Sequence, residues 1–263
     1  VKADINGAQI HYLREGSGFP VLMLHAAIAD SRMWRPQMDE FAKQFDVVCP
    51  DTRGFGESEL PPARWSPVGD VTGLIDELAL KPAHVIGCSM GGRIAIDMAL
   101  DHPARVSKLV LVAPGVSGTN FGKKYPELWT EVDAAEEAKD MNALNEAAAR
   151  IWLDGPRRSR GFVGGALREL FFDMNARSLL SDFKSAPIDD LDPPAIGRLH
   201  EITAQTLVIV GDEDVPNVFD VVELLMDSIK GARKAVICDA AHLPNLEHPE
   251  EFNRIVLDFL LEA

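Results

Sequence analysis

The chain alternates between short, almost wholly apolar runs and longer stretches in which apolar residues return every three or four positions. The apolar runs are PVLMLH (20–25), FDVVCPD (45–51), AHVIGC (83–88), KLVLVAP (108–114), TLVIVG (206–211) and KAVICD (234–239). Runs this short, rich in Val, Ile and Leu, predict strands buried on both faces, and such strands belong to a parallel sheet covered by helices. The stretches between them supply the helices. Helical period or helix punctuation marks about Trp34 to Lys43, Val68 to Leu78, Met90 to Leu100, Val218 to Ser228 and Pro249 to Leu260. Strands alternating with helices imply right-handed crossovers and an α/β fold. Residues 1–14 read differently: two short strands flank Asn6-Gly7, a pair that supplies positive φ at both centres of a tight hairpin turn. The sheet is therefore expected to begin antiparallel.

The alternation fails once, between Pro114 and Thr206. There Leu128, Val132 and Ala135 trace one apolar helical face and Met141, Leu144, Ala148 and Ile151 another, with Asp140 as the N-cap between them. Gly155-Pro156, Pro187 and Pro193-Pro194 divide the region into short helices. The pattern predicts a helical cap, residues 115–205, inserted into a core made of residues 1–114 and 206–263. Its bulky Leu128, Trp129, Trp152, Phe171 and Phe172 are expected to bury against the core or to close an apolar pocket over it.

Composition removes several function classes. The 263 residues are 46% hydrophobic and 25% charged, an ordinary globular balance. Lys plus Arg number 26 against 41 Asp plus Glu, and a net charge of -15 repels a phosphate backbone, so neither nucleic acid nor an anionic membrane surface is an expected partner. No apolar run approaches the ~18 residues that span a bilayer, and the opening VKADINGAQIHYLREG carries no basic leader ahead of an apolar stretch. Cys49, Cys88 and Cys238 are odd in number, widely spaced and set in or beside apolar runs, which matches neither a disulfide framework nor a zinc pattern. A cytoplasmic protein without metal or cofactor is expected, and nothing in the pattern speaks to its oligomeric state.

The candidate chemistry begins at Gly87-Cys88-Ser89-Met90-Gly91, a G-x-S-x-G sequence that directly follows the AHVIG strand and opens the MGGRIAIDMAL helix. A serine on that sharp strand-to-helix turn is exposed as a nucleophile, the glycines leave the turn room, and the helix N-terminus lends partial positive charge. A serine N-cap on an ordinary helix has the same local sequence, so partners must decide. The hydroxyl needs a base. Of the seven histidines, His242 in CDAAHLPNLEHPEEF lies just past the last strand, where a loop carries it to the same rim as Ser89. His248 beside Pro249 and His25 after the third strand read as structural; His11, His84, His102 and His200 are less well placed. The base needs an orienting carboxylate, and GDEDVP offers Asp212, Glu213 and Asp214. Asp214 lies furthest past the strand end and is preferred, against the plainer reading of a solvated acidic loop. Candidate oxyanion donors are the backbone N–H of Met90, after the nucleophile, and of Ala27 in LMLHAAIADSRMW. Cys88 reads as strand filler.

With LMLHAAIADSRMW, PDTRGFGESELP, VIGCSMGGRIAIDMALDHPARVSKLVLVAP, LVIVGDEDVP and AAHLPNLEHPEEFNRIVLDFL in this order, the sequence resembles the α/β-hydrolase superfamily over nearly its whole length. It is most similar to the carboxylesterase and 3-oxoadipate enol-lactonase group of small, helically capped members. The resemblance implies a mostly parallel eight-stranded sheet with helices on both faces and a helical cap. It also implies Ser89 as nucleophile, His242 as base, Asp214 as acid and the amides of Ala27 and Met90 as oxyanion hole; the order Ser, Asp, His along the chain is the superfamily's. One departure stands at Ala26, where the family usually has glycine; if that position needed positive φ, alanine would cost about 1 kcal/mol. The expected activity is hydrolysis of small to medium carboxylic esters through an acyl-enzyme, with a small-molecule ester as partner. The triad does not separate this from an enol-lactonase, a carbon-carbon hydrolase of aromatic degradation or a perhydrolase of the chloroperoxidase type. A non-catalytic ligand-binding protein is the rival of a different class. An anionic lactone would call for a pocket arginine, for which Arg32, Arg93 and the Arg157, Arg158, Arg160 group are candidates, the last group reading more simply as an exposed charged face.

Overall fold

The computed structural model describes residues 1–80, 82–119, 129–181 and 186–262. Its strands are β1 (Lys2–Ile5), β2 (Ala8–Gly16), β3 (Phe19–Leu24), β4 (Phe45–Pro50), β5 (Ala83–Cys88), β6 (Val106–Val112), β7 (Gln205–Gly211) and β8 (Arg233–Ile237). They form one eight-stranded sheet in the order β1-β2-β4-β3-β5-β6-β7-β8. β2 pairs antiparallel with β1 and β4, and the remaining neighbours are parallel. The opening hairpin turns at Asn6 and Gly7, with φ of 50° and 77°. β6 and β8 stop two residues short of their apolar runs. Ala113 and Asp239 take left-handed φ of 43° and 55°, which ends an extended strand.

The continuous apolar runs are explained by the two faces they serve. Side chains alternate along each strand, so Met23, Val47, Ile86, Val110 and Ile209 meet helices α1 (Arg35–Phe41) and α9 (Pro249–Leu261) in one core. Leu24, Val48, Val85, Leu109 and Val208 meet α2 (Pro67–Glu77), α3 (Met90–Asp101) and α7 (Pro216–Ser228) in the other. Ser66 caps α2 by accepting from the Gly69 N–H, with Pro67 at the first helical position. The short α8 (Pro244–Glu247) was not predicted, because four residues carry no readable period.

Between β6 and β7 lie α4 (Thr130–Ala138), α5 (Met141–Trp152) and α6 (Gly165–Leu180). Asp140 caps α5, accepting from the Asn142 and Ala143 N–H groups. Ala135, Ala148 and Ile151 are buried on the expected faces, while Met141, in the first turn of α5, projects beyond the packed face and is 40% exposed. Leu128 lies outside the described residues. The wholly buried Asp154 gathers the following loop, accepting from the N–H of Gly161 and Val163 and from the Arg168 guanidinium. Arg158 corrects the expectation of an exposed arginine face. Its side chain is only 8% exposed and bonds Glu247 and the carbonyls of Leu153, Asp154 and Asp239, whereas Arg157 and Arg160 are solvent-facing. Among the described residues no helix is long and apolar enough to cross a membrane.

Candidate active site

β5 passes into α3 with Ser89 as the single residue between them, at φ 52° and ψ -109°. A Cβ on Gly87 would lie 2.3 Å from the Gly91 carbonyl oxygen, and one on Gly91 would lie 2.2 Å from that of Leu24. Helix and strand therefore approach so closely that only glycine fits on either side. Strain of this kind is on the order of 1–3 kcal/mol and persists only where its surroundings hold it. Here the Ser89 N–H bonds the Val112 carbonyl at 2.9 Å, and the Ser89 carbonyl accepts from Gly115 and Arg93. The Ser89 side chain makes no cap hydrogen bond, so the reading as an ordinary N-cap fails. Cys88 is buried beneath it, and burial pushes its thiol pKa up, as suits strand filler.

His242 follows β8 on a loop and stands with Nδ1 3.0 and 3.1 Å from the two carboxylate oxygens of Asp214. Both residues are 2% exposed. With Nδ1 turned to the Asp214 carboxylate, Nε2 is the ring nitrogen left to meet a neighbouring hydroxyl. The ring of Trp152 packs 4.4 Å from that of His242, and the Trp152 carbonyl takes the His242 N–H at 3.2 Å. Glu247 accepts the neighbouring Ala241 N–H at 2.7 Å and pairs with Arg158, fixing the same loop from behind. Burial raises the Glu247 carboxyl above its ordinary pKa. Glu213 instead pairs with Arg157 at 3.0 Å, and Asp212 has a buried Oδ1 without a partner.

The other histidines are engaged elsewhere. His25 is fully buried, with Nδ1 on the Ala26 carbonyl and Nε2 accepting the Thr52 N–H, each at 2.8 Å, so both ring nitrogens hold the loop after β3. His11 pairs with Asp51, His102 lies beside Asp101, and His248 bonds the Asp239 carbonyl. Positive φ among the described non-glycine residues occurs at Asn6, Ala79, Ser89, Ala113, Lys139 and Asp239; Ala26 is not in that region, so alanine there carries no penalty. Among the described residues no acceptor takes the Ala27 or Met90 N–H. The Ala27 carbonyl accepts from the Ser178 hydroxyl of α6.

Ser89, His242 and Ala27 border one cavity of about 600 Å³. Trp129, Val132, Leu144, Ala148 and Trp152 make its walls apolar, and Asn175, Ser178, Ser181 and the carboxylate of Glu136 add polar points. No Lys or Arg lines it among the described residues. Arg32 pairs with Asp30 and Asp173, and Arg93 with Asp190, so neither candidate pocket arginine faces it. A smaller cavity of about 200 Å³ also borders Ser89, His242 and Trp152. Among the described residues there is no group of three or more His, Cys, Asp or Glu arranged to hold a metal. The sequence did not reveal the packing of Trp152 on His242. The helical period placed this residue on α5, but no local signal says what its ring meets.

A family model described as the alpha/beta hydrolase family matches residues 21–255. A 2-hydroxymuconate semialdehyde hydrolase of Pseudomonas sp. strain CF600 is 31% identical, with 94% of this chain and 89% of the relative covered. The crystal structure of the enol-lactonase from Burkholderia xenovorans LB400 superposes with a TM-score of 0.79 at 30% identity, covering 100% of both chains. A hydrolase from Pseudomonas aeruginosa PA01 superposes with a TM-score of 0.82 at 27% identity, covering 100% of this chain and 98% of its own.

Proposed function

The chain belongs to the alpha/beta hydrolase family and is a hydrolase, and from that premise we propose that it opens a small uncharged lactone or similarly activated enol ester by serine catalysis. Ser89 is the nucleophile, His242 the base and Asp214 its orienting acid, with the N–H groups of Ala27 and Met90 as the oxyanion hole. Residues 115–205 act as the cap that closes the cavity over the core formed by residues 1–114 and 206–263. The reading is carried by one observation: a strained, uncapped Ser89 shares an apolar cavity with His242, whose Nδ1 meets Asp214.

Ser89 Oγ attacks the acyl carbon as His242 Nε2 takes its proton, and the carbonyl oxygen gathers negative charge opposite the Ala27 and Met90 amides. Nδ1–H remains on Asp214, which stabilises the imidazolium without taking its proton. Collapse breaks the acyl C–O bond, and His242 returns the proton to the departing oxygen. Water, deprotonated by the same nitrogen, then releases the acid and restores Ser89.

The substrate class follows from the walls. A substrate carboxylate would be desolvated here without a cationic partner among the described lining residues and with the Glu136 carboxylate on the same wall, so an uncharged acyl compound fits best. The solved enol-lactonase supports a ring ester in particular. A second reading, carbon-carbon cleavage of a vinylogous diketone, is favoured by the likeness to the semialdehyde hydrolase. Simple short-chain esters, the substrate expected from the sequence, would run through the same steps with a poorer leaving group.

Purified protein assayed on a neutral alkyl-substituted γ-lactone, the ethyl ester of the matching acid and a 2-hydroxy-6-oxodienoate separates these readings. The lactone is expected to give the highest kcat/KM, at least about tenfold above the others. Faster turnover of the dienoate would replace the lactonase reading with carbon-carbon hydrolysis, and exclusive turnover of the ethyl ester would return the assignment to a carboxylesterase.

A further inference from the structure

The buried face of α6 carries two polar residues, Asn175 and Ser178, three positions apart beside Phe171 and Met174. Polar side chains on a buried face need partners. The Ser178 hydroxyl donates to the Ala27 carbonyl. Asn175 is 2% exposed, and its Nδ2 donates to Asn145 Oδ1 of α5 at 2.8 Å, while Asn145 Nδ2 donates to the Phe172 carbonyl at 2.9 Å. A carbonyl only accepts, so this chain of bonds fixes both amides. Asn145 must turn its nitrogen to Phe172 and its oxygen to Asn175, which must answer with its own nitrogen. The atom left over is Asn175 Oδ1. It has no partner among the described residues, yet it is not sealed in the interior as Asn217 Oδ1 is, and the residue borders the large cavity that Ser89 and His242 also border. Glu136 and the Ser178 oxygen, whose proton is already committed, add acceptors to the same cavity, and no Lys or Arg lines it among the described residues.

We propose that Asn175 Oδ1 selects acyl groups that carry a hydrogen-bond donor of their own, so that the substrate is an uncharged, hydroxylated acyl compound. The assignment rests on the serine-hydrolase reading above and narrows its substrate class. An acyl group bonded to Ser89 lies in the cavity that Asn175 borders. An analogue without the hydroxyl leaves Oδ1 dry and unpaired, and a methyl ether sets a second acceptor against it. A carboxylate would meet only further acceptors here. A hydroxyl also costs far less to desolvate between apolar walls than an ammonium group, the other donor that could pair with Oδ1.

The test keeps one activated leaving group, phenoxide, and varies the acid: phenyl hexanoate, its 3-hydroxy and 6-hydroxy derivatives, and the matching methoxy ethers. The wild type is expected to favour one of the hydroxy esters by about tenfold in kcat/KM over both phenyl hexanoate and its own methyl ether, the effect of one neutral hydrogen bond in a dry site. Asn175→Leu, and the smaller Asn175→Ala that cannot overpack the site, should bring that ratio to about one. Both variants also lose the bond to Asn145, and taking the ratio within each variant cancels that general effect. Asn145→Ala leaves the Asn175 oxygen in place but frees the amide to turn, and should lower the ratio as well. A wild type that hydrolyses all five esters alike, or favours a methoxy or the unsubstituted ester, overturns the proposal while leaving serine hydrolysis standing. An unchanged ratio in the Asn175 variants makes Asn175 structural, and a ratio lost instead in Glu136→Leu gives the selection to that carboxylate. Failure to turn over any ester or lactone removes the hydrolase reading of the site and this assignment with it.

Discussion

Ser89 holds a backbone conformation that costs an L-residue free energy, and its hydroxyl does not repay this by capping α3. That combination makes sense for a nucleophile and not for a helix start. Ser89→Ala should leave the fold intact and lower kcat by on the order of 10^4 to 10^6, and a folded variant keeping a tenth of the activity would refute the role. Asp214 and Asp212 offer a sharper contrast because they share one loop. Asp214 meets Nδ1 of His242 and Asp212 does not, so Asp214→Asn should reduce kcat by roughly 10^3 to 10^4 and Asp212→Asn by less than about tenfold. Steady-state kinetics on the two variants, with circular dichroism to check folding, decides between them; equal losses would reassign the acid.

At the scale of elements, α6 reaches the segment after β3 twice, through Ser178 to the Ala27 carbonyl and through Asp173 to Arg32. The helix therefore braces Ala27 through its carbonyl, one peptide on from the Ala27 N–H that is a candidate oxyanion donor. Ser178→Ala should lower kcat by about tenfold with KM changed by less than about twofold, and should weaken a boronic acid transition-state mimic in parallel, while Ser178→Thr restores both. Loss of stability without the parallel loss of boronate affinity would leave Ser178 as packing alone.

In β5, His84 is 6% exposed, packs between Phe19 and Phe45 and leaves Nδ1 unpaired. Burial, and secondly the charge of Lys108, lower its pKa from 6.5 to about 4. Below pH 6.5 the unfolded chain binds a proton that the folded one refuses, so stability falls as pH drops toward 4, by up to about 3 kcal/mol. His84→Phe removes that titration. Its Tm should decline less than the wild type's between pH 7 and pH 4.5, and an identical decline would show that other groups set the acid limit.

Across the whole molecule, the net charge of -15 and the Glu136 carboxylate at the cavity both disfavour an approaching anion. Raising salt from 0.01 to 0.3 M shortens the screening length from about 30 Å to well under 10 Å. For a lactone carrying a carboxylate, kcat/KM should rise about threefold over that range, while a neutral lactone of the same size should not respond. A fall for the anion would mean that a cation steers it, contrary to the uncharged substrate proposed.

The parts of this protein legible in its sequence are those with a local physical cause. Apolar runs near Val21, Val85 and Val208 announce strands because both faces of each are buried. Asn6-Gly7 announces a hairpin because few other pairs accept two positive φ values. Gly87 and Gly91 around Ser89 announce the strained turn because any Cβ there would strike backbone. The sequence also pointed to His242 and Asp214, through their places just past two strand ends. Other features depend on residues far apart in the chain and leave no local trace. Arg158 reads as one of three exposed arginines, yet it is buried because Glu247 and a set of carbonyls, some from distant loops, converge on it. Nothing near Trp152 announces that its ring will meet His242 and border both cavities. Periodicity and turn chemistry act within a few residues and are written in the chain itself, whereas charge partners and cavity walls arise only when segments far apart in the chain, 141 residues for Arg32 and Asp173 and 151 for Ala27 and Ser178, are brought into contact by the fold.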